Sequence, residues 1–212
     1  MSEPQTDSRS APIKLYFAPR TRAIRPRWLL EELGVPYELV RLDLSLHENR
    51  TPAFLAVHPL GEVPALVDGD VTLFESSAIC LYLADRFPEK HLAPPLGSTD
   101  RGLYLQWLLF AEVTLEPVLL ELYRHAQLAD EKKAGVDLAA ARARLKELLD
   151  IVDRWLDGRE FVAGGSFTAA DLVLASLLHL GHTLKLLEDR PKLVEYVLRH
   201  ARRAAVRRAV SS

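Results

Sequence analysis

Residues 58–85 read HPLGEVPALVDGDVTLFESSAICLYLAD, and this stretch decides the fold. Two short apolar runs, Ala65 to Val67 and Val71 to Phe74, flank Asp68-Gly69-Asp70. An Asp-Gly turn between apolar runs is a hairpin signal, so both runs read as strands. From Ser76 to Phe87 the spacing becomes helical. Ile79, Cys80, Leu83, Ala84 and Phe87 fall on one face, as in a helix packed on a sheet, and Cys80 reads as core. Pro64 stands just ahead of the first strand. A proline lacks the donor that a central strand needs but suits a strand's start, where it can take the cis isomer. The Val63 backbone would then face outward, toward an extended peptide ligand; an ordinary turn proline is the alternative. Glu75-Ser76 opens the helix. Its free N–H groups and partial positive charge suit a carboxylate, with Ser76 adding a hydrogen bond and Glu75 an ion pair to an ammonium. Such a spot could hold an α-amino-acid end; helix capping by Ser76 or Ser77 is the simpler alternative.

Upstream, Ile13 to Phe17 (IKLYF) is a strand by composition. Thr21 to Leu33 is predicted to be helical, with Ile24, Trp28, Leu29 and Leu33 on the apolar face and Arg25, Arg27, Glu31 and Glu32 away from it. Gly34 ends this helix, and Tyr37 to Leu42 is a second strand. Strand, helix and strand so close together imply a right-handed parallel βαβ unit. In the connecting segment APRTRAIRPRW, Thr21 can cap the helix and Arg20, Arg22, Arg25 and Arg27 surround its first turns. A thiol placed there, with an ordinary pKa of ~8.5, would lose its proton more easily. A solvated basic face is the other reading. Thr51 to Val57 is a short helix or turn.

Downstream, residues 88–98 carry Pro88, Pro94, Pro95 and Gly97 and read as a linker. No strand pattern follows. Asp100 to about Leu128 is predicted helical, bent near Pro117. Leu138, Leu145, Leu148, Leu149, Val152 and Leu156 form an amphipathic stripe. Thr168 to Leu187 is apolar nearly all round, as a buried helix should be, with Thr168 and Asp171 as its N-cap pair. Pro191 starts another helix, and Arg202, Arg203, Arg207 and Arg208 would complement the dipole of the last. Tyr104, Trp107 and Phe110 recur at helical spacing, as core or as one wall of a ligand cleft. His179 and His182 lie three apart with no third ligand in view, so no metal site is expected. The plan is a disordered leader over 1–11, an α/β domain over 12–87, a linker over 88–98 and an all-α domain over 99–212.

Composition narrows the function. The formal charge is -2 over 212 residues, which argues against nucleic acid as a partner. An apolar share of 49% suffices for a packed core, and a single cysteine excludes an internal disulfide. The most apolar run, Leu172 to Leu180, is far short of the ~20 residues of a membrane span, so a soluble cytoplasmic protein is expected.

Taken in order, KLYFAP (14–19), RWLLEELGVPYE (27–38), the 58–85 stretch and GSFTAADLVLAS (165–176) resemble the glutathione transferase family. The resemblance implies a thioredoxin-like N-terminal domain and an all-α C-terminal domain. It also implies a homodimer, with glutathione as co-substrate, no separate cofactor, and a hydrophobic electrophile as partner. Val63 then looks like the residue whose backbone pairs with the cysteinyl unit, Pro64 like the cis-proline, and Glu75 and Ser76 like the holders of the γ-glutamyl end. Asn49 falls where relatives often place a histidine near the glycyl end. Glu62 falls where lysine is common, which removes one positive contact. The thiol-activating position departs most. Ala18 stands where serine-type members carry serine, and Arg22 where the bacterial beta class carries cysteine. Thr21 is the preferred activator, with Arg22 as a cationic helper and Tyr16 as the alternative. Tyr104, Trp107 and Phe110 would line the electrophile site. The signature of maleylacetoacetate isomerases is absent. A glutathione-dependent peroxidase or disulfide reductase, or a binding module without turnover, are the rival functions.

Overall fold

The structure, a computed structural model, describes residues 12–133, 135 and 137–211. The expected disordered leader, residues 1–11, lies outside them. The described residues form two compact units, one of residues 12–90 together with 204–211, and one within residues 91–203.

The first unit is built on a four-stranded sheet of order β2-β1-β3-β4. β1 (Ile13–Phe17) pairs parallel with β2 (Tyr37–Arg41) and antiparallel with β3 (Ala65–Asp68), which pairs antiparallel with β4 (Val71–Phe74). All four strands fall where the composition and the Asp-Gly turn predict, within a residue at their ends, and so does the β1-helix-β2 crossover. Ile13, Leu15 and Phe17 point into the core, while Lys14 and Tyr16 point to the other face. Lys14 there pairs with Glu38 across the parallel ladder at 3.1 Å.

Helix α1 (Ile24–Leu33) and helix α3 (Ser76–Arg86) pack together, burying Leu29, Leu30, Leu33, Ile79, Cys80 and Leu83. Each such leucine or isoleucine contributes about 1.5–3 kcal/mol by leaving water. α1 ends at Gly34, whose left-handed φ of 66° lets its N–H reach the Leu30 carbonyl. α1 starts three residues later than predicted. Arg20 holds a φ of 59°, and the Thr21 hydroxyl donates back to the Ala18 carbonyl at 2.7 Å, so this segment is a turn. Arg25 and Arg27 also correct the predicted solvated face, being only 4% and 5% exposed. Helix α2 (Pro52–Leu55) is a single turn capped by Thr51, whose Oγ1 accepts the Phe54 N–H. At the end of β3, Asp68 is buried, accepts a hydrogen bond from Tyr82 at 2.9 Å and forms an ion pair with Arg86.

The second unit is helical. Its first helix runs through Thr99–Ala126 in three parts: α4 (Thr99–Leu109), a π-helical turn (Phe110–Leu115) and α5 (Glu116–Ala126). Where a bend is predicted near Pro117, the structure has this wider turn just ahead of the proline. A proline within a helix has no N–H to donate and its ring crowds the carbonyl four residues back, a reason for the ladder to widen before Pro117. Among the described residues this is the one helix long and apolar enough to cross a membrane. Its Tyr104, Trp107, Leu108, Ala111, Leu115 and Leu119 are buried in the core of the unit. After the short α6 (Asp130–Lys133), α7 (Ala139–Trp155) buries Leu145, Leu148, Leu149 and Val152 from the predicted stripe. α8 (Ala169–Thr183) is buried along most of its length, and α9 (Pro191–Ala201) turns Leu193, Tyr196, Val197 and His200 inward.

Two domain boundaries differ from the sequence plan. The segment predicted as a linker is built into the structure: Leu92 is buried, and its carbonyl accepts the Ala169 N–H at 2.9 Å. The last helix, α10 (Ala204–Val210), belongs with the first unit rather than with the helical domain. It packs on α1 through the buried Ala205 and Ala209. Its Arg208 does more than complement a helix dipole. Arg208 Nε donates to the Glu31 carboxylate at 2.7 Å and Nη2 to the Glu31 carbonyl at 2.8 Å. Burial opposes ionisation of Glu31, but hydrogen bonds from Tyr37 and Arg208, with the Arg208 charge, hold its carboxyl below the usual range.

Candidate active site

The sheet register assembles the site. Tyr16 lies opposite Ala65, and Ala65 opposite Phe74. The ends of β1 and β4 and the start of β3 therefore meet at one edge of the sheet. Three connections leave from that edge: the Ala18–Ala23 turn, the Gly61–Pro64 approach to β3, and Glu75–Ser77 at the start of α3. Thr21, Arg22, Val63, Pro64, Glu75 and Ser76 are all brought together there.

The Val63-Pro64 peptide bond is cis. Val63 precedes the ladder, and among the described residues its N–H and C=O take no backbone partner. The approach to it is held from the β2 side. Asn49 Nδ2 donates to the Gly61 carbonyl at 2.6 Å, and Arg50 Nη1 to the Leu60 carbonyl at 2.9 Å. Asn49 thus commits its amide donor to the turn, while Glu62 stays exposed. Gly61 is required here: its φ is +60°, and an added Cβ would stand 2.5 Å from the Asn49 carbonyl oxygen. Gly61→Ala should displace Glu62 and Val63. We expect glutathione affinity to fall about tenfold or more and stability by about 1–3 kcal/mol, read by calorimetry and thermal unfolding. Unchanged affinity would remove this loop from the site.

At the start of α3, Glu75 is exposed and holds a φ of 73°, a backbone state that costs a non-glycine residue about 1–3 kcal/mol. Ser76 and Ser77 are each only 2% exposed. Ser76 Oγ accepts a hydrogen bond from Arg25 Nη1 at 3.3 Å, which leaves its own proton to donate, and the Ser77 hydroxyl has no partner. A buried guanidinium beside a helix N-terminus makes a strong anion site. The sequence places Arg25 among the cations around the first helix but does not show its partner Ser76, because a basic residue in a helix's first turn looks the same whether it faces water or a neighbouring helix. Sequence reading missed His58, which is buried between Phe54 and Phe74, with Nδ1 accepting the Leu60 N–H at 3.3 Å.

The candidate thiol activators differ in what they already do. Thr21 Oγ1 donates to Ala18 and accepts the Ala23 N–H at 3.2 Å. It therefore shapes the turn before α1, while Ala23 holds the N-cap position. Arg22 is exposed beside it. Tyr16 is half-buried on the opposite face of β1 from Phe17, its ring 5.2 Å from that of Phe54.

The predicted electrophile wall does not hold for two of its three members. Tyr104 is 0% and Trp107 3% exposed, and the Trp107 ring meets Phe110 edge-on and Trp155 at a tilt, each with centroids 5.2 Å away. They lie on the inward face of α4. The exposed face carries Leu105 and Leu109, with Val113 in the π-turn, and Phe110 is half-buried. A helix apolar on both faces gives no periodic signal to tell them apart. Cys80 is core, as predicted. Among the described residues no group of three or more His, Cys, Asp or Glu is arranged to hold a metal ion. His179 has its pKa lowered by partial burial and then by the neighbouring His182.

The glutathione S-transferase N-terminal domain model matches residues 11–85, and the C-terminal domain model matches residues 112–204. Glutathione S-transferase GstA of Escherichia coli O157:H7 is 33% identical over 204 residues, covering 94% of this chain and 98% of that protein. Glutathione S-transferase F9 of Arabidopsis thaliana is 36% identical over 163 residues, 74% of each chain. Among solved structures, a sphingomonad glutathione S-transferase complexed with glutathione superposes with a TM-score of 0.77 at 33% identity, over 93% of this chain and 96% of that one. A glutathione transferase family member from Pseudomonas fluorescens with two glutathiones bound gives 0.83 at 27% identity, over 98% and 95%. The chain belongs to the glutathione S-transferase family.

Proposed function

We propose that the protein binds reduced glutathione along the Val63 edge, stabilises its thiolate and directs it at a small hydrophobic electrophile. What carries this reading is the convergence at one sheet edge of an unpaired Val63 backbone and an anion site. The anion site is the α3 N-terminus with Ser76 and the buried Arg25. An extended peptide would pair with Val63, its γ-glutamyl carboxylate at Ser76 and its ammonium at Glu75. The glycyl end would lie toward Asn49 and Glu62, and the sulfur toward the Ala18–Ala23 turn. In the reaction the thiol proton passes to solvent, the sulfur forms a bond to the electrophilic carbon, and the leaving group departs with the electron pair of the broken bond. Lowering the thiol pKa by about 2 units needs about 2.7 kcal/mol of preferential thiolate stabilisation, which one charge-assisted hydrogen bond and nearby cations can supply. The same reading includes a homodimer, a cytoplasmic, detoxifying role, and an electrophile taken by the helical domain.

Calorimetric titration with reduced glutathione tests the site. Saturable binding is expected, with Ser76→Ala weakening it about tenfold while the protein stays folded. No saturation with the unsubstituted protein would sink the reading. Turnover of a chloronitrobenzene then separates the transferase from a peroxidase, a disulfide reductase or a module without turnover. For the activator, Thr21→Ala should raise the apparent thiol pKa in the pH–rate curve. A curve that moves with Tyr16→Phe and not with Thr21→Ala would transfer the role to Tyr16.

A further inference from the structure

We propose that Arg208 on the terminal helix α10 is a positioning residue for the glutathione site, acting through α1. The inference rests on the function proposed above and assigns a task to a residue outside that site. Its geometry is continuous. The Arg208 guanidinium grips the last turn of α1 through both the carboxylate and the carbonyl of Glu31. The Arg208 carbonyl in turn accepts a hydrogen bond from Arg27 Nη2 at 3.4 Å. Arg27 is buried, and its guanidinium lies 4.9 Å from the centre of the Phe17 ring. Phe17 is the last residue of β1 and leads directly into Ala18, whose carbonyl holds Thr21. Two residues before Arg27 on the same helix, Arg25 reaches Ser76. The rotation and height of α1 thus set both the turn that faces the sulfur and the cation behind the γ-glutamyl carboxylate. α10 contacts α1 along the helix and fixes both.

A cap that only covered α1 would need Ala205 and Ala209, which are buried, and nothing more. Arg208 adds a two-pronged, charge-assisted grip on one residue, the geometry that specifies position as well as energy. Its side chain is 54% exposed, so replacing it leaves the packing of α10 intact.

The test uses the full chain and five variants. Arg208→Gln should raise the KM for reduced glutathione by about three- to tenfold and shift the thiol pKa upward in the pH–rate curve. Arg208→Lys should recover part of both, because it restores the charge without the fork. Glu31→Gln removes the carboxylate prong and leaves the carbonyl one, so it should reproduce part of the effect, and the double variant should be no worse than Arg208→Gln alone. Arg207→Gln, exposed on the same helix, should change neither. An Arg208→Gln protein with an unaltered KM and pH–rate curve, whatever its melting temperature, overturns the inference. So do effects of Arg208→Gln and Glu31→Gln that simply add. If the unsubstituted protein binds no glutathione, the functional reading and this inference fall together; if it binds and Arg208→Gln changes nothing, only this inference falls.

Discussion

Asp171→Ala is expected to destabilise the helical unit by about 3–5 kcal/mol, the largest effect of any single substitution considered. The carboxylate is 0% exposed. Oδ1 accepts the Val162 N–H at 2.8 Å and the Tyr196 hydroxyl at 2.9 Å, while Oδ2 accepts the Thr168 N–H and the Thr168 hydroxyl, both at 2.9 Å. One side chain thus closes the capping box of α8 and ties it to the 158–165 loop and to α9. Burial raises the Asp171 pKa, and the hydrogen bonds from Val162, Thr168 and Tyr196 work against that rise. Burial, and then the Asp171 charge, push the Tyr196 phenol well above its ordinary value, so it stays a donor. Alanine would leave four buried donors without an acceptor. Each costs about 1–3 kcal/mol before the surroundings relax. At about 2–4 °C per kcal/mol for a chain of this length, the melting temperature should fall by roughly 8–15 °C. Tyr196→Phe removes one donor and its bond together and should cost about 1 kcal/mol. A melting temperature within 2 °C of the parent for Asp171→Ala would contradict the role given to this carboxylate, a margin of about 1 kcal/mol.

His200 should make the helical unit acid-sensitive. Its ring is 1% exposed, packed against Tyr196, Phe167 and Phe161, and neither ring nitrogen has a hydrogen-bond partner. Burial, followed by the charges of Arg199 and Arg203, lowers its pKa from 6.5 to about 3. The sign follows from proton uptake. Below pH 6.5 the unfolded chain binds a proton that the folded chain refuses until about pH 3, so acid favours unfolding. The stability is complete above pH 6.5 and is lost by about 1.4 kcal/mol per pH unit below it, about 2 kcal/mol by pH 5. His200→Phe keeps an aromatic ring in the same apolar setting and removes the titration. Denaturant unfolding at pH 7 and pH 5 should therefore show about 2 kcal/mol less pH dependence in the variant than in the parent. Equal slopes would show that His200 protonates without penalty.

Much of this architecture could be read from residue patterns, for physical reasons that differ by element. Ile13, Leu15 and Phe17 alternate because one face of the sheet is covered, and Asp68-Gly69-Asp70 marks a turn that few other residues can make. Gly34 stops a helix for the same backbone reason. Such signals are local, so they survive without coordinates. Val63, Pro64, Glu75 and Ser76 can be named as candidates from sequence because the roles proposed for them belong to the backbone and to a helix start. What could not be read depends on partners distant in sequence. Arg25 and Arg27 look like a wet basic face until Ser76 and Phe17 are seen beside them. Arg208 looks like a dipole complement until Glu31 meets it. Tyr104 and Trp107 were ambiguous because α4 is apolar on both faces, and only burial separates the inward set from Leu105 and Leu109. The sequence starts the helix at Thr21 because a threonine before an apolar period is a common cap. Its bond to Ala18 and the left-handed Arg20 put it in a turn instead.

The return of α10 to the first unit has a consequence for synthesis. A ribosome delivers Ile13 to Arg86 early, yet the surface of α1 that buries Ala205 and Ala209 waits for more than a hundred further residues before it is covered. The thioredoxin-like half cannot be finished co-translationally, and excising it at residue 90 would expose that apolar strip to water. Any attempt to express this half alone should supply the last helix, either on a short tether or as a separate peptide.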